Sequence, residues 1–231
     1  MNKVAIIGYG QFGRFMAKHL RPYVKVVPVD VDTDPAKIAD CDMVVYAVPF
    51  DALEQAIHST KPHVKAGALI LDISSVKQKP LALLKKYFKK HEILGTHPMF
   101  GPESGAKGIE GLPIVLCNIS FTHSTYRQTK QFLKKELGLK VVEQTPKQHD
   151  QEVAYMQGLS HFIGKALLDM GLKSYAANTQ SYAYLLRFCG NLKNDSWDLF
   201  KTIQNANPEA KKVRAQFRKT LEQLEKQLQE G

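Results

Sequence analysis

Lys3-Val4-Ala5-Ile6-Ile7-Gly8-Tyr9-Gly10-Gln11-Phe12-Gly13 reads as a short buried strand that turns on glycine and opens into a helix. Each glycine has a mechanical role. Gly8 makes the tight turn, Gly10 lets the backbone approach a pyrophosphate, and Gly13 lets the helix pack closely on the strand. The helix that begins at Gln11 offers unpaired N–H groups and a positive dipole end to phosphates. Asp30 follows about 20 residues later at the end of a second apolar run, where a carboxylate hydrogen-bonds a ribose 2′-hydroxyl and repels a 2′-phosphate. Gly8, Tyr9, Gly10, Gln11, Phe12, Gly13 and Asp30 are therefore the expected cofactor-binding set, and NAD is favoured over NADP. Asp32 competes for the ribose contact.

Outward from this stretch, apolar runs predict strands at Val24–Val29, Met43–Val48, Ala68–Ile73, Ile93–Gly95, Pro113–Leu116 and Val141–Val142. Helical patterns lie between several of them, among them Gln11–Leu20, Lys77–Lys90 and Thr125–Leu137. Asp34-Pro35 supplies a cap followed by Pro at the first helical position, and Asp51 is read as the cap of the next helix. Strands alternating with helices imply an α/β fold, a mostly parallel Rossmann-like sheet. After about residue 146 the strand signals stop. Helices are predicted from Gln151 to Met170, with Asp150 as cap, over Asn178–Phe188, and from near Asp195. The last starts at Asn207-Pro208 and carries Val213, Phe217, Leu221, Leu224 and Leu228 on one stripe. The expected division is a dinucleotide-binding domain over 1–147 and an all-helical dimerisation and substrate-binding domain over 148–231. Such helices should pack on the sheet and on a second subunit, so a homodimer is expected.

Composition narrows the classes. The chain has 231 residues, 44% hydrophobic and 23% charged, enough for a real core and unlike a disordered or collagenous chain. Three cysteines, Cys41, Cys117 and Cys189, lack metal-ligand spacing and read as free thiols, with no metal site expected. The net charge of +10 favours anionic partners, although many lysines simply solvate helix faces. The basic residues are spread over several helices without interleaved aromatics, which disfavours nucleic acid. No apolar run approaches the roughly 18 residues of a membrane span. The first strand starts almost at Met1, so no targeting peptide and a cytoplasmic location are expected.

Two loops carry the chemistry. Asp72-Ile73-Ser74-Ser75-Val76-Lys77 lies just past a strand end, where ligands bind in open α/β sheets. Gly95-Thr96-His97-Pro98-Met99-Phe100-Gly101-Pro102-Glu103-Ser104-Gly105 follows the next strand, and its Gly and Pro density argues for a fixed loop. His97 is thus held at the cofactor edge, where an imidazole exchanges a proton near neutral pH. The plainer reading makes it a hydrogen-bonded scaffold residue. His161, in Gln157-Gly158-Leu159-Ser160-His161-Phe162, has a buried core histidine as its rival reading. Gly158 within that helix costs about 1 kcal/mol against Ala, which points to close packing or a ligand.

Together these strings resemble the prephenate/arogenate dehydrogenase family over nearly the whole chain, closest to the short plant-type arogenate dehydrogenases. The telling matches are GYGQFG, DISSVK, GTHPMFGPESG continuing to Gly111-Leu112-Pro113, the His149-Asp150 pair with His161 downstream, and Asp195-Ser196-Trp197-Asp198-Leu199-Phe200. The resemblance implies oxidative decarboxylation of a cyclohexadienyl substrate, arogenate or prephenate, with hydride transfer to a nicotinamide. His97 then takes the 4-hydroxyl proton, Ser75 helps orient histidine and substrate, and His161 belongs to the substrate pocket. Asp195 matches an aspartate that faces the arogenate ammonium, with a helix N-cap as its structural alternative. Arg187 matches, across a one-residue gap, an arginine set against a substrate carboxylate. Two features depart from the pattern. Plant-type members usually prefer NADP and lack an acid at Asp30, and many bacterial members carry a histidine where Gly158 stands. A β-hydroxyacid dehydrogenase using Lys165 leaves the THPMFGPESG loop unexplained, and intact Ser75 and His97 argue against a dinucleotide sensor without turnover.

Overall fold

The computed structural model describes residues 2–230. Seven strands form one sheet: β1 (Lys3–Ile7), β2 (Lys25–Val29), β3 (Met43–Tyr46), β4 (Leu69–Asp72), β5 (Ile93–Pro98), β6 (Pro113–Asn118) and β7 (Lys140–Glu143), in the order β2-β1-β3-β4-β5-β6-β7. Every pairing is parallel except β5 with β6, so the mostly parallel sheet read from the sequence holds. The exception has a simple cause. Residues 99–112 contain no crossover helix, and without one the chain returns antiparallel.

Alternation along the strands feeds two apolar layers. Ala5, Ile7, Val44, Tyr46, Ile70 and Ile93 pack under α2 (Phe50–Thr60) and α3 (Gln78–Tyr87) through Leu53, Ile57, Leu81 and Leu84. Val4, Met43, Val45, Leu71 and Leu94 face the other way, with Phe15 and Met16 of α1 (Gln11–Leu20) and Leu133 of α4 (His123–Lys135). The order reverses at β1, between β2 and β3, which is the crevice where open α/β sheets bind ligands.

The chain divides into two compact units between His149 and Asp150. From β7 onward the described residues form helices only. They comprise α5 (Pro146–Val153), a π-helical stretch at Ala154–Leu159, α6 (Ser160–Asp169), α7 (Gln180–Leu192), α8 (Trp197–Lys201), a second π stretch at Thr202–Ala206, and α9 (Ala210–Gln229). Gln204 donates from Nε2 to the Gly158 carbonyl at 2.7 Å, and Arg214 donates to Gln204 Oε1 at 2.5 Å. The first bond satisfies a carbonyl of the wide π turn, and the second holds the Gln204 amide in place. A Cβ on Gly158 would meet Ala210 at 3.5 Å, an ordinary contact, so crowding does not demand glycine there.

Four expected helix starts move, the last from Asn207-Pro208 to Ala210, with Glu209 as its cap and Asn207 Oδ1 accepting from Glu209 N at 2.9 Å in the turn before it. Pro49 precedes α2, which leaves Asp51 inside its first turn. The helix assigned to Gln151 starts at Pro146, with Thr145 Oγ1 accepting from Gln148 N at 3.2 Å, so Asp150 is a buried interior residue. Pro at the first helical position sets the earlier start. The cap of α8 is Ser196, which accepts from Leu199 N at 3.1 Å, and not Asp195. Cys41, Cys117 and Cys189 are buried thiols outside any disulfide. No helix among the described residues is long and apolar enough to cross a membrane.

Candidate active site

The glycine turn has the geometry a dinucleotide requires. Gly8 adopts φ +93°, and a Cβ there would fall 2.7 Å from the Ala47 carbonyl oxygen of the neighbouring strand end. A Cβ on Gly13 would lie 2.1 Å from the Gly8 carbonyl oxygen, so only glycine lets α1 sit this close to the turn. Around Gly10 the situation inverts, since a Cβ there meets nothing within 4 Å. That open space adjoins the first turn of α1, which has no side-chain cap and no acidic residue. An uncapped positive helix end beside open space suits a diphosphate. At the end of β2, Thr33 N donates to the Asp30 carbonyl at 2.9 Å and closes a turn that leaves Asp30 and Asp32 exposed. Tyr9 accepts from Arg21 at 2.8 Å, and Gln11 and Phe12 open α1. These residues fit a nicotinamide dinucleotide.

The β4 and β5 ends are locked by a buried ion pair that sequence reading missed. Lys77 is fully buried, bonds the Asp72 carboxylate, and donates to the Thr96 carbonyl at 2.7 Å. Asp72 also accepts from Ser74 N at 3.1 Å and Ser74 Oγ at 2.5 Å, while Thr96 Oγ1 donates to the Asp72 carbonyl at 3.0 Å. A buried ammonium needs such pairing. The sign of a signal was present in the string itself, a carboxylate and an ammonium at one strand end, but lysines otherwise read as solvated.

Next to Thr96, His97 is 3% exposed, and its Nδ1 lies 2.9 Å from Nε2 of the fully buried His149. Burial pushes the His97 pKa well below the ordinary value of 6.5, and the neighbouring His149 and Lys77 push the same way. The imidazole is therefore neutral near neutral pH. Ser75 is half-buried in the β4–α3 connection. Asp72 pairs with Gly95, so Ser75 lies three residues past the end of β4, while His97, read from the sequence as part of the loop after Gly95, is the penultimate residue of the longer β5 and pairs with Val115 of β6. The partner of His97 Nδ1 is His149, not Ser75; 52 residues separate the two histidines, and no local pattern announces the contact.

The helical unit brings two other candidates together. His161 Nδ1 stands 3.3 Å from an Asp195 carboxylate oxygen. Burial lowers the His161 pKa, and Asp195 opposes that shift. Both line a small pocket of about 140 Å³ with Lys165, Ser196, Trp197 and Phe200, the last two rings stacked at 5.0 Å. Lys165 is tied to Asp169 at 2.6 Å, one turn along α6. Arg187 is exposed on α7 and does not line that pocket.

Residues 15–142 match the family described as "Prephenate dehydrogenase, nucleotide-binding domain", and residues 166–231 match "TYRAAT1-like, C-terminal domain". The first match begins beyond Gly13, so the glycine turn stands on its own geometry. The chain is 30% identical to Arogenate dehydrogenase 2, chloroplastic, of Arabidopsis thaliana, over 98% of this chain and 70% of that protein. It is also 30% identical to a Probable arogenate/prephenate dehydrogenase of Methanocaldococcus jannaschii, over 76% of this chain and 41% of that protein. It spans only 39% of Arogenate dehydrogenase 1, chloroplastic, of Arabidopsis thaliana. Among solved structures, prephenate dehydrogenase from A. aeolicus with hydroxyphenyl propionate and NAD+ shares the fold with a TM-score of 0.76 at 20% identity, covering 99% of this chain and 91% of that one. Synechocystis arogenate dehydrogenase gives a TM-score of 0.69 at 18% identity, covering 98% and 92%.

Proposed function

The chain belongs to the prephenate/arogenate dehydrogenase family, and from that premise we propose that it oxidatively decarboxylates arogenate with NAD, prephenate being the second substrate. The observation that carries the reading is His97, buried at the end of β5 with its Nδ1 2.9 Å from His149, on the sheet edge that also bears the glycine turn. A bound nicotinamide supplies the hydride acceptor, held by Gly8, Gly10, Gly13, the first turn of α1, and Asp30 at the ribose.

His97 Nε2 takes the proton of the 4-hydroxyl as the C4 hydride departs and the carbinol becomes a carbonyl. The C1–carboxylate bond then breaks, CO2 leaves, and its electron pair enters the ring. His97 returns its proton to the resulting phenolate oxygen, so one substrate and one oxidised cofactor give one phenol, one CO2 and one reduced cofactor. Aromatisation drives the sequence, and a weak base in the right place suffices. Ser75, past the adjacent strand end, orients the reacting hydroxyl.

Asp195 supports arogenate over prephenate. Because burial holds His161 toward its neutral form, His161 contacts the carboxylate without neutralising it. A carboxylate lining the pocket suits the ammonium of arogenate, which a keto acid lacks. Arg187 is assigned to a substrate carboxylate. Among the described residues, nine of the eleven exposed large apolar side chains lie in the helical unit, which supports a homodimer through that unit.

The test is production of reduced nicotinamide with arogenate and with prephenate, each with NAD and with NADP. The expected order is arogenate above prephenate and NAD above NADP. Inactivity toward both substrates would overturn the reading.

A further inference from the structure

Two nitrogens 2.9 Å apart between buried rings share one proton, because two protons would clash and none would leave two lone pairs opposed. The rings meet edge-on, with centroids 5.1 Å apart and planes inclined at 66°, so the contact is a hydrogen bond and not a stack. We propose that His149 is the positioning residue of His97, accepting its Nδ1–H and thereby presenting His97 Nε2 as a bare lone pair toward the substrate hydroxyl. This deepens the function proposed above and rests on it.

Only one of the two possible arrangements serves a base. If His149 Nε2 carried the shared proton, a neutral His97 would hold its own on Nε2 and could accept nothing there. With the proton on His97 Nδ1, the imidazolium formed in turnover donates it to a neutral acceptor, a charge-assisted hydrogen bond stronger than its neutral precursor. His149 thus strengthens its hold as charge develops, while the proton itself stays on His97 until it returns to the phenolate. The charged and titratable groups that bear on His97 are His149 of α5 and Lys77, whose ammonium is paired with Asp72 at the end of β4. Neither presents an unpaired carboxylate to His97. The buried base is therefore kept neutral before substrate arrives, where a carboxylate partner would favour its protonated form.

The experiment combines nitrogen-15 NMR of histidine-labelled protein without ligands and steady-state kinetics of His149→Leu and His149→Gln. Gln places an acceptor oxygen the same number of bonds from Cβ as Nε2, whereas Leu has none. In wild-type protein His97 should carry its proton on Nδ1. His149→Leu should lose about 100-fold in kcat with KM within about threefold, and His149→Gln should recover kcat to within about tenfold of wild type. Unchanged cofactor binding in both variants controls for folding. A His97 protonated on Nε2 in wild type would overturn the proposal, as would a Leu variant with near-normal kcat or a loss that Gln does not recover. The NMR reading needs no turnover, so an inactive wild type would count against the proposed function and not against this pair.

Discussion

Two histidines, one in each unit, sit against different partners. His97 is buried and meets another histidine, whereas His161 is less buried and faces a carboxylate. Burial lowers both pKa values, but His149 and Lys77 reinforce the shift at His97, while Asp195 opposes it at His161. The first arrangement suits a base that must stay neutral until it acts. The second suits a negative charge presented to a cationic group. In the proposed function the same side chain type is assigned to proton transfer in one unit and to recognition in the other, and its neighbours differ accordingly.

The comparison breaks first at His97. His97→Asn should fold normally by circular dichroism and lose about 10³-fold in kcat, within the range for a lost general base. Near-normal turnover would remove His97 from the chemistry. A large effect is also expected at its support. Lys77→Met leaves the Asp72 carboxylate buried without its cation, which should cost about 3–5 kcal/mol. Thermal denaturation should then show Tm lower by roughly 10 °C, partly restored by adding Asp72→Asn. An unchanged Tm would mean that the pair does not hold the two strand ends. The smallest effect belongs to the recognition pair. Asp195→Asn should shift the arogenate-to-prephenate ratio of kcat/KM by about tenfold toward prephenate, the scale of one weakened ion pair. An unchanged ratio would dismiss the ammonium contact.

Much of the sheet could be read from the chain because its signals are local. Lys3–Ile7 before Gly8, and the strand cores around Val44, Ile70 and Ile93, combine apolar runs with turn residues. Gly13 was legible because its lack of a side chain meets a backbone five residues away, and the structure has the Gly8 carbonyl oxygen there. The caps were less legible. Asp51, Asp150 and Asp195 are all good capping types, but Pro49, Thr145-Pro146 and Ser196 define those helix starts. The antiparallel β6 followed from a connection that lacks a helix, which the strand run alone does not report. The Asp72–Lys77 pair left a local trace in the string, but the burial of Lys77 and the contact of His149 share one cause that the string does not show. Their partners are brought by the fold, Thr96 to Lys77 across β4 and β5 and His97 to His149 across 52 residues.

The most direct measurement is the pH dependence of kcat/KM for wild type and for the residual activity of His97→Asn. A base that must be unprotonated, with its pKa pushed well below 6.5, keeps activity through pH 6.5 and loses it only as pH falls further. The account predicts that acid limb in wild type and its disappearance in the variant. An acid limb at or above pH 6.5, or one that persists unchanged in His97→Asn, would contradict it.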